Sequence, residues 1–391
     1  MEWLHALLRW IHVIAGIMWI GDSLLFMWLD SHLHPDPQSR KDVAGVTWLI
    51  HGGGYYQVEK RWLVPGRLPP RLRWFWLEAT ATWLSGFLLL ILVYYMSARA
   101  FMIDPATSRL SPGQAVGAGV ALLLLGWLVY DGLWRTMRSR PGTASLLSAV
   151  LLVVACYAAA SLLSPRAAFL HIGAMLGGIM AANVWVHIIP PQRQMVRAAR
   201  EGRQIDVSLG DHAKTRSTHN SYLTFPVIFL MISHHFPAIY AGRLNWVVLS
   251  LLLVVGAGIR HLMLVGLRAA RWTTLGTAAA AVALGALTWP SPAPVPNAVG
   301  PGTPVPSFAQ IRTLVAQRCA ACHSETPTEP GMTSTAGGVA LDTPTQIRAR
   351  AGRIKARVVE QRTMPLGNTT GVTEEERAVL GRWVDAGAPL R

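Results

Sequence analysis

The residues best equipped for chemistry lie near the carboxyl end, where Cys319-Ala320-Ala321-Cys322-His323 closes an amphipathic stretch, FAQIRTLVAQRCAACHS. Two thiols three positions apart can each add to a vinyl group of one haem, and the adjacent imidazole then reaches the iron. Zinc would need two further ligands, and residues 308–391 contain no other Cys or His. A thioredoxin-like redox pair would need a βαβ setting that the flanking sequence lacks. The motif therefore predicts covalent haem c with His323 as one axial ligand. Met364, in Arg362-Thr363-Met364-Pro365, is the expected second ligand, because His/Met ligation suits a cytochrome of raised potential. Met332, in a Gly/Thr-rich loop soon after His323, is the competitor. Thr373-Glu374-Glu375-Glu376 reads as a capping box opening a last helix that would pack Leu380, Trp383 and Val384.

A second group of reactive side chains sits in or beside long apolar runs, where ionisable residues are costly and so mark function. His12 shares a helical face with Gly16, Trp19 and Ser23, and His171 shares one with Gly178 and Ala182. A histidine beside such a small-residue groove can ligate a haem b, or can simply hydrogen-bond across the helix interface. His51-Gly52-Gly53-Gly54-Tyr55-Tyr56 reads as a flexible loop whose backbone N–H groups are free to cradle an anion. Lys214-Thr215-Arg216-Ser217-Thr218-His219-Asn220 leads into an apolar run, as a set able to bind and deprotonate a flat anion. The plainer reading of that segment is positive flanking charge plus a helix cap.

The elements that must carry these groups follow from hydropathy. Apolar stretches long enough to cross a bilayer run near 6–29, 74–97, 114–134, 144–163, 167–189, 219–240, 244–266 and 271–289. The sixth is interrupted by Pro226, His234 and His235. Charged residues make up 14% of the chain, hydrophobic ones 52%, and there are 16 Trp, a composition that indicates a membrane protein with aromatic interface anchors. The first run is too long for a cleaved signal peptide and lacks a basic leader, so it is expected to remain as a span. Lys and Arg crowd the loops after spans one, three, five and seven, which places those loops in the cytoplasm and both termini in the periplasm of a bacterial inner membrane. The net charge of +15 arises from these loops; no basic helix with base-reading partners accompanies it, which argues against nucleic acid. Cys156, alone in an apolar run, is expected to be packing. The expected architecture is all-α: an eight-helix transmembrane bundle over 1–289, a Pro-rich tether over 290–307, and a class I-like cytochrome c domain over 308–391.

Residues 12–29 (HVIAGIMWIGDSLLFMWL), 51–60 (HGGGYYQVEK), 76–86 (WLEATATWLSG), 181–191 (AANVWVHIIPP), 214–235 (KTRSTHNSYLTFPVIFLMISHH) and the MPLGN tail resemble the bacterial membrane-bound, cytochrome-c-linked urate oxidases, or urate hydroxylases. Tyr55 and Ser221 stand where that family commonly has Phe and Asn. The resemblance implies oxidation of urate to 5-hydroxyisourate with water as oxygen source. Electrons would leave through haem c to a soluble cytochrome c or terminal oxidase. It points to His219, His187, His51 and Glu78 as polar site residues, with Arg216 or Lys214 as anion partners. The rival expectation is a non-enzymatic b/c-type electron-transfer subunit serving a partner dehydrogenase or quinol. A site near the cytoplasmic side would lie roughly 30 Å from a periplasmic haem, a separation that calls for a relay or for a pocket near His12 and His171.

Overall fold

Glu2–Ser31 form α1, thirty residues long, with apolar side chains such as Trp3, Trp10 and Ile17 left exposed on its outer face. The computed structural model describes residues 2–38, 40–104, 107–240, 242, 244–267, 269–289, 304–329, 332 and 335–391. Of the expected tether over 290–307, residues 290–303 lie outside the described residues.

After α1 comes a feature that the all-α expectation missed. Val43–His51 (β1) and Gly54–Arg61 (β2) pair antiparallel, with His51 opposite Gly54. Gly52 and Gly53 take φ of +63° and +80°, the conformation a tight two-residue hairpin turn requires. The segment expected to be a flexible loop is thus an ordered turn, because its glycines supply the left-handed backbone that other residues resist. Arg40 bonds Asp36 and Glu59 at 2.9 and 2.6 Å, and Lys60 bonds Asp30 at 2.6 Å, which ties the hairpin to the end of α1. The Arg40 guanidinium holds the Asp36 and Glu59 carboxyls below the usual carboxylate range.

The remaining chain is mainly helix, and 69% of the described residues are helical. Leu77–Leu89 (α2) continues as a π-helical turn over Leu90–Tyr95, followed by the short Ala98–Phe101 (α3). Pro112–Thr136 (α4), Pro141–Leu162 (α5) and Pro165–Ala182 (α6) each begin with proline, whose fixed φ suits the first helical position. Ser111 and Ser164 cap α4 and α6. Ser164 also donates to the Phe101 carbonyl at 2.6 Å, which joins α3 to the start of α6. A π-helical turn over Asn183–Ile188 leads into Ile189–Arg200 (α7), followed by Val207–Ile232 (α8), Pro237–Tyr240 (α9), Asn245–Val265 (α10) and Arg271–Thr288 (α11).

At the centre stands α6, which packs against α2, α4, α5 and α8. Its Phe169, Ile172, Leu176 and Ile179 form one core with Leu230, Leu249 and the buried Cys156. Gly256 of α10 sits against Pro226 inside α8, where an added Cβ would lie 2.8 Å from the proline ring. Among the described residues, six helical segments are long and apolar enough to cross a membrane: Trp3–Ser31, Leu77–Tyr95, Pro112–Thr136, Pro141–Leu162, Pro165–Arg200 and Asn245–Val265. The expected sixth and eighth spans are helical over most of their length but fall outside that set. α8 carries Asp211, His212, Lys214 and Arg216 in its first half, and α11 is diluted by Arg271, Trp272 and its threonines and glycines.

The carboxyl-terminal part has its own core. Phe308–Arg318 (α12), Pro344–Ala349 (α13), Ala351–Ile354 (α14) and Glu374–Asp385 (α15) enclose Ile311, Val315, Ile347, Val358, Leu380 and Trp383. As expected, Thr373 and Glu376 form a capping box at α15, and Val384 packs beside Leu380 and Trp383. The turn Leu366–Asn368 rests against α3, so this part meets the bundle at the end where α3 joins α6.

Candidate functional site

At the other end of α4 the apolar run VALLLLGWLV breaks at Tyr130-Asp131. Opposite it, the π-helical turn after α6 presents Asn183 and His187, both buried; such one-turn π-helical insertions recur at functional sites. On α8, His212, Arg216, His219 and Asn220 follow the i, i+4, i+7, i+8 stripe of one helical face. The three segments converge on a buried polar cluster.

Asp131 is its hub. One carboxylate oxygen accepts from His187 Nε2 at 2.5 Å and from Arg216 Nη2 at 3.1 Å. The other accepts from Arg135 Nε at 2.7 Å. His187 Nδ1 lies 3.1 Å from His212 Nε2. Beside them, Tyr130 Oη lies 2.7 Å from His219 Nδ1. Asn183 Nδ2 donates to Tyr130 Oη at 3.0 Å and to Asn220 Oδ1 at 2.9 Å. The Arg216 guanidinium lies over the Tyr130 ring, 5.0 Å from its centroid. Trp134 covers His219 at 4.0 Å between ring centroids.

Arg216 is 1% exposed and Asn183 0%, yet Arg216 Nη1 and Asn183 Oδ1 have no hydrogen-bond partner among the described residues. Leaving such groups unpaired in a dry interior costs about 1–3 kcal/mol each, more for a charged one. The fold therefore holds a cationic donor and a carbonyl acceptor ready for a partner that brings the complementary groups. A planar anion with ring N–H groups has that complement, and the flanking imidazoles can take its proton.

Of the residues singled out from sequence, His187, Arg216 and His219 come together here. Lys214 is exposed on another face of α8, and His51 is exposed at the hairpin turn. Glu78 lies between α1 and α2 in an apolar groove of about 350 Å³ that includes Trp10, Ile14 and Met18. The layer of Ala79, Val184, Trp185 and Ile188 belongs to a separate packing cluster on the neighbouring face. Lys214, His51 and Glu78 are thus not in the cluster, because helix phase and the hairpin turn them elsewhere. Sequence reasoning did not select Tyr130, Asp131 or Asn183. A lone acid inside an apolar run was the available signal for Asp131.

His12 and His171 are held by different neighbours. His12 Nδ1 lies 2.9 Å from the Thr82 carbonyl, and its ring packs on Gly86. His171 Nδ1 bonds the Ala167 carbonyl at 2.8 Å, its ring meets Tyr94 and Tyr95, and its Nε2 is directed at Gly119. Gly86 and Tyr95 are about 13 Å apart along their helix, so the two imidazoles contact that helix at different levels.

In the carboxyl-terminal part, Cys319 ends α12, and the chain turns so that His323 N bonds the Cys319 carbonyl at 2.9 Å. His323 Nδ1 lies 2.9 Å from the Val339 carbonyl, which fixes the ring and leaves Nε2 as a free donor atom. Met364 packs at the edge of the same core as Cys319. Burial pushes the Cys319 thiol up to about 11 and raises Cys322 as well. Among the described residues, no group of three or more His, Cys, Asp or Glu is placed to hold a bare metal ion.

No curated protein and no solved structure matches the chain. Residues 1–290, which contain the whole Asp131–His187–Arg216 cluster, match the family described as urate oxidase N-terminal, and the chain belongs to that family.

Proposed function

We propose that this protein is a membrane-bound oxidoreductase that converts urate to 5-hydroxyisourate with water as the oxygen source and passes the electrons to a haem c in residues 308–391. The observation that carries the reading is the pair of unpartnered buried atoms, Arg216 Nη1 and Asn183 Oδ1, inside the family-matched segment. Urate at neutral pH is a planar anion bearing ring N–H groups. Arg216 binds its negative edge, and Asn183 Oδ1 accepts a ring N–H. His219, oriented by Tyr130 and covered by Trp134, is placed to take a proton and so ease removal of electrons from the ring. In a water-poor setting the Arg216 charge acts with far more force than it would in bulk solvent.

The bundle over 1–289 has eight spans in this reading, and 290–307 tethers the cytochrome domain, with both termini in the periplasm of a bacterial inner membrane. Cys319 and Cys322 would hold the haem covalently with His323 and Met364 as axial ligands, and the bound haem supplies a one-electron acceptor. The Val339 carbonyl on His323 Nδ1 fits such a ligand. A soluble cytochrome c or a terminal oxidase then takes the electrons. From Ser164, just before α6, to Asn183, just after it, is about 28 Å, and Trp127, Tyr95, Tyr94 and Phe101 lie along that interval as intermediate aromatic groups.

Purified protein mixed with urate under nitrogen tests this. Reduction of haem c with loss of urate absorbance is the expected result. A haem reduced only by quinol or a partner dehydrogenase would instead identify an electron-transfer subunit.

A further inference from the structure

We infer that Asn220 is a positioning residue that sets which purines the site accepts. It turns the Asn183 amide so that a ligand meets a carbonyl acceptor, which selects an oxopurine with a ring N–H at that edge. The inference rests on the reading of the cluster as the seat of urate oxidation. The two ends of a carboxamide have nearly the same shape and opposite hydrogen-bonding character, with two donor hydrogens on Nδ2 and an acceptor at Oδ1. Shape alone therefore leaves Asn183 free to face a ligand with either end, and only its neighbours choose.

The choice begins at a backbone carbonyl. Met180 lies near the end of α6, just before the helix widens into the π-helical turn that carries Asn183. Its carbonyl can only accept, and Asn220 Nδ2 donates to it at 2.9 Å. That bond turns Asn220 Oδ1 the other way, where it receives Asn183 Nδ2 at 2.9 Å. The second hydrogen of Asn183 Nδ2 goes to Tyr130 Oη at 3.0 Å. Both donors of Asn183 are thus engaged inside the protein, and Oδ1 is the atom left over, without a partner among the described residues. Asn183 is fully buried and Asn220 nearly so, so bulk water does not take over either contact. Tyr130 cannot impose this orientation by itself, since a hydroxyl can give or accept a hydrogen bond, whereas Asn220 Oδ1 can only accept. Without the Asn220 amide, Asn183 is better satisfied reversed. Oδ1 then accepts the Tyr130 hydroxyl hydrogen, and no buried N–H is left facing an apolar wall.

Equilibrium binding of urate and its four ring-N-monomethyl derivatives to the full chain tests this. A methyl group removes one ring N–H, so in wild type the derivative blocked at the nitrogen facing Asn183 should bind far more weakly than urate. Asn220→Leu keeps a branched side chain without the amide. Urate should bind to it about tenfold more weakly, as for one lost hydrogen bond, while that derivative loses little. Its affinity ratio to urate should therefore shrink about tenfold; the bulk of the methyl group is common to both proteins and cancels in the comparison. Asn220→Asp still offers Asn183 an acceptor and should keep the wild-type ratios, although it melts at lower temperature. Equal weakening of all five ligands in Asn220→Leu would show a merely structural role and overturn the inference. Collapse of the ratios in Asn220→Asp would overturn it too, whether or not Asn220→Leu folds. Wild-type protein that leaves urate unoxidised and its haem unreduced overturns the functional reading, and the selection argument with it.

Discussion

Asp131 Oδ1 lies 2.5 Å from His187 Nε2, although the two residues are 56 positions apart and sit on different helices. Each alone would be an expensive guest in an apolar bundle. Together with Arg216 they neutralise and orient one another, and the surrounding helices fix which of their atoms stay unpaired.

Asp131→Asn removes the counter-charge of the buried Arg216. Breaking one partner of a buried pair typically costs about 3–5 kcal/mol, so the variant should unfold at distinctly lower temperature than wild type and lose urate turnover. Circular dichroism melts in detergent check the first part, and the anaerobic urate assay the second.

Arg216→Lys keeps the positive charge but loses the planar fork that reaches Asp131 and lies over Tyr130 at the same time. Lys and Arg are not interchangeable at such a site. Urate affinity should fall by at least about tenfold, equivalent to about 1.4 kcal/mol, as read by equilibrium binding.

If residues 308–391 hold haem c as proposed, Met364→Ala should leave it attached while lowering its reduction potential, because a soft axial ligand raises the potential. Replacing both Cys319 and Cys322 with Ser should abolish covalent attachment. Potentiometric titration and a pyridine haemochrome assay read these outcomes. The same assay should find one c-type haem per chain.

Gly119→Ala places a Cβ 2.7 Å from His171 Nε2 and 3.1 Å from Met102 Cε. His171 is wholly buried and cannot swing aside. Overpacking of this kind costs about 1–3 kcal/mol, so a lowered melting temperature is expected with the carboxyl-terminal haem spectrum unchanged. Gly113→Ala, with nothing near its added Cβ, serves as the control.

Much of the chemistry was readable before any coordinates. The Cys319/Cys322/His323 spacing and the capping box at Thr373 are local patterns, whereas His187, Arg216 and His219 were implied by the resemblance to the urate oxidases, and the structure brings those three together. His51, Glu78 and Lys214 looked equally reactive in one dimension. Their separation from the cluster comes from a two-glycine hairpin turn and from helix phase, which hydropathy alone does not resolve. Asp131 escaped notice because a single acid near the end of a span reads as flanking charge until its partners are seen.

Sequence by itself determined the apolar helices, the polar carboxyl-terminal part and the thiol–imidazole motif, because each follows from residue periodicity or from spacing along a few turns. Tertiary structure alone decided which polar groups share a site and which atoms remain unpaired. Those outcomes depend on contacts between α4, the π-helical turn after α6, and α8, which are remote in the chain and are brought together by packing around one central helix.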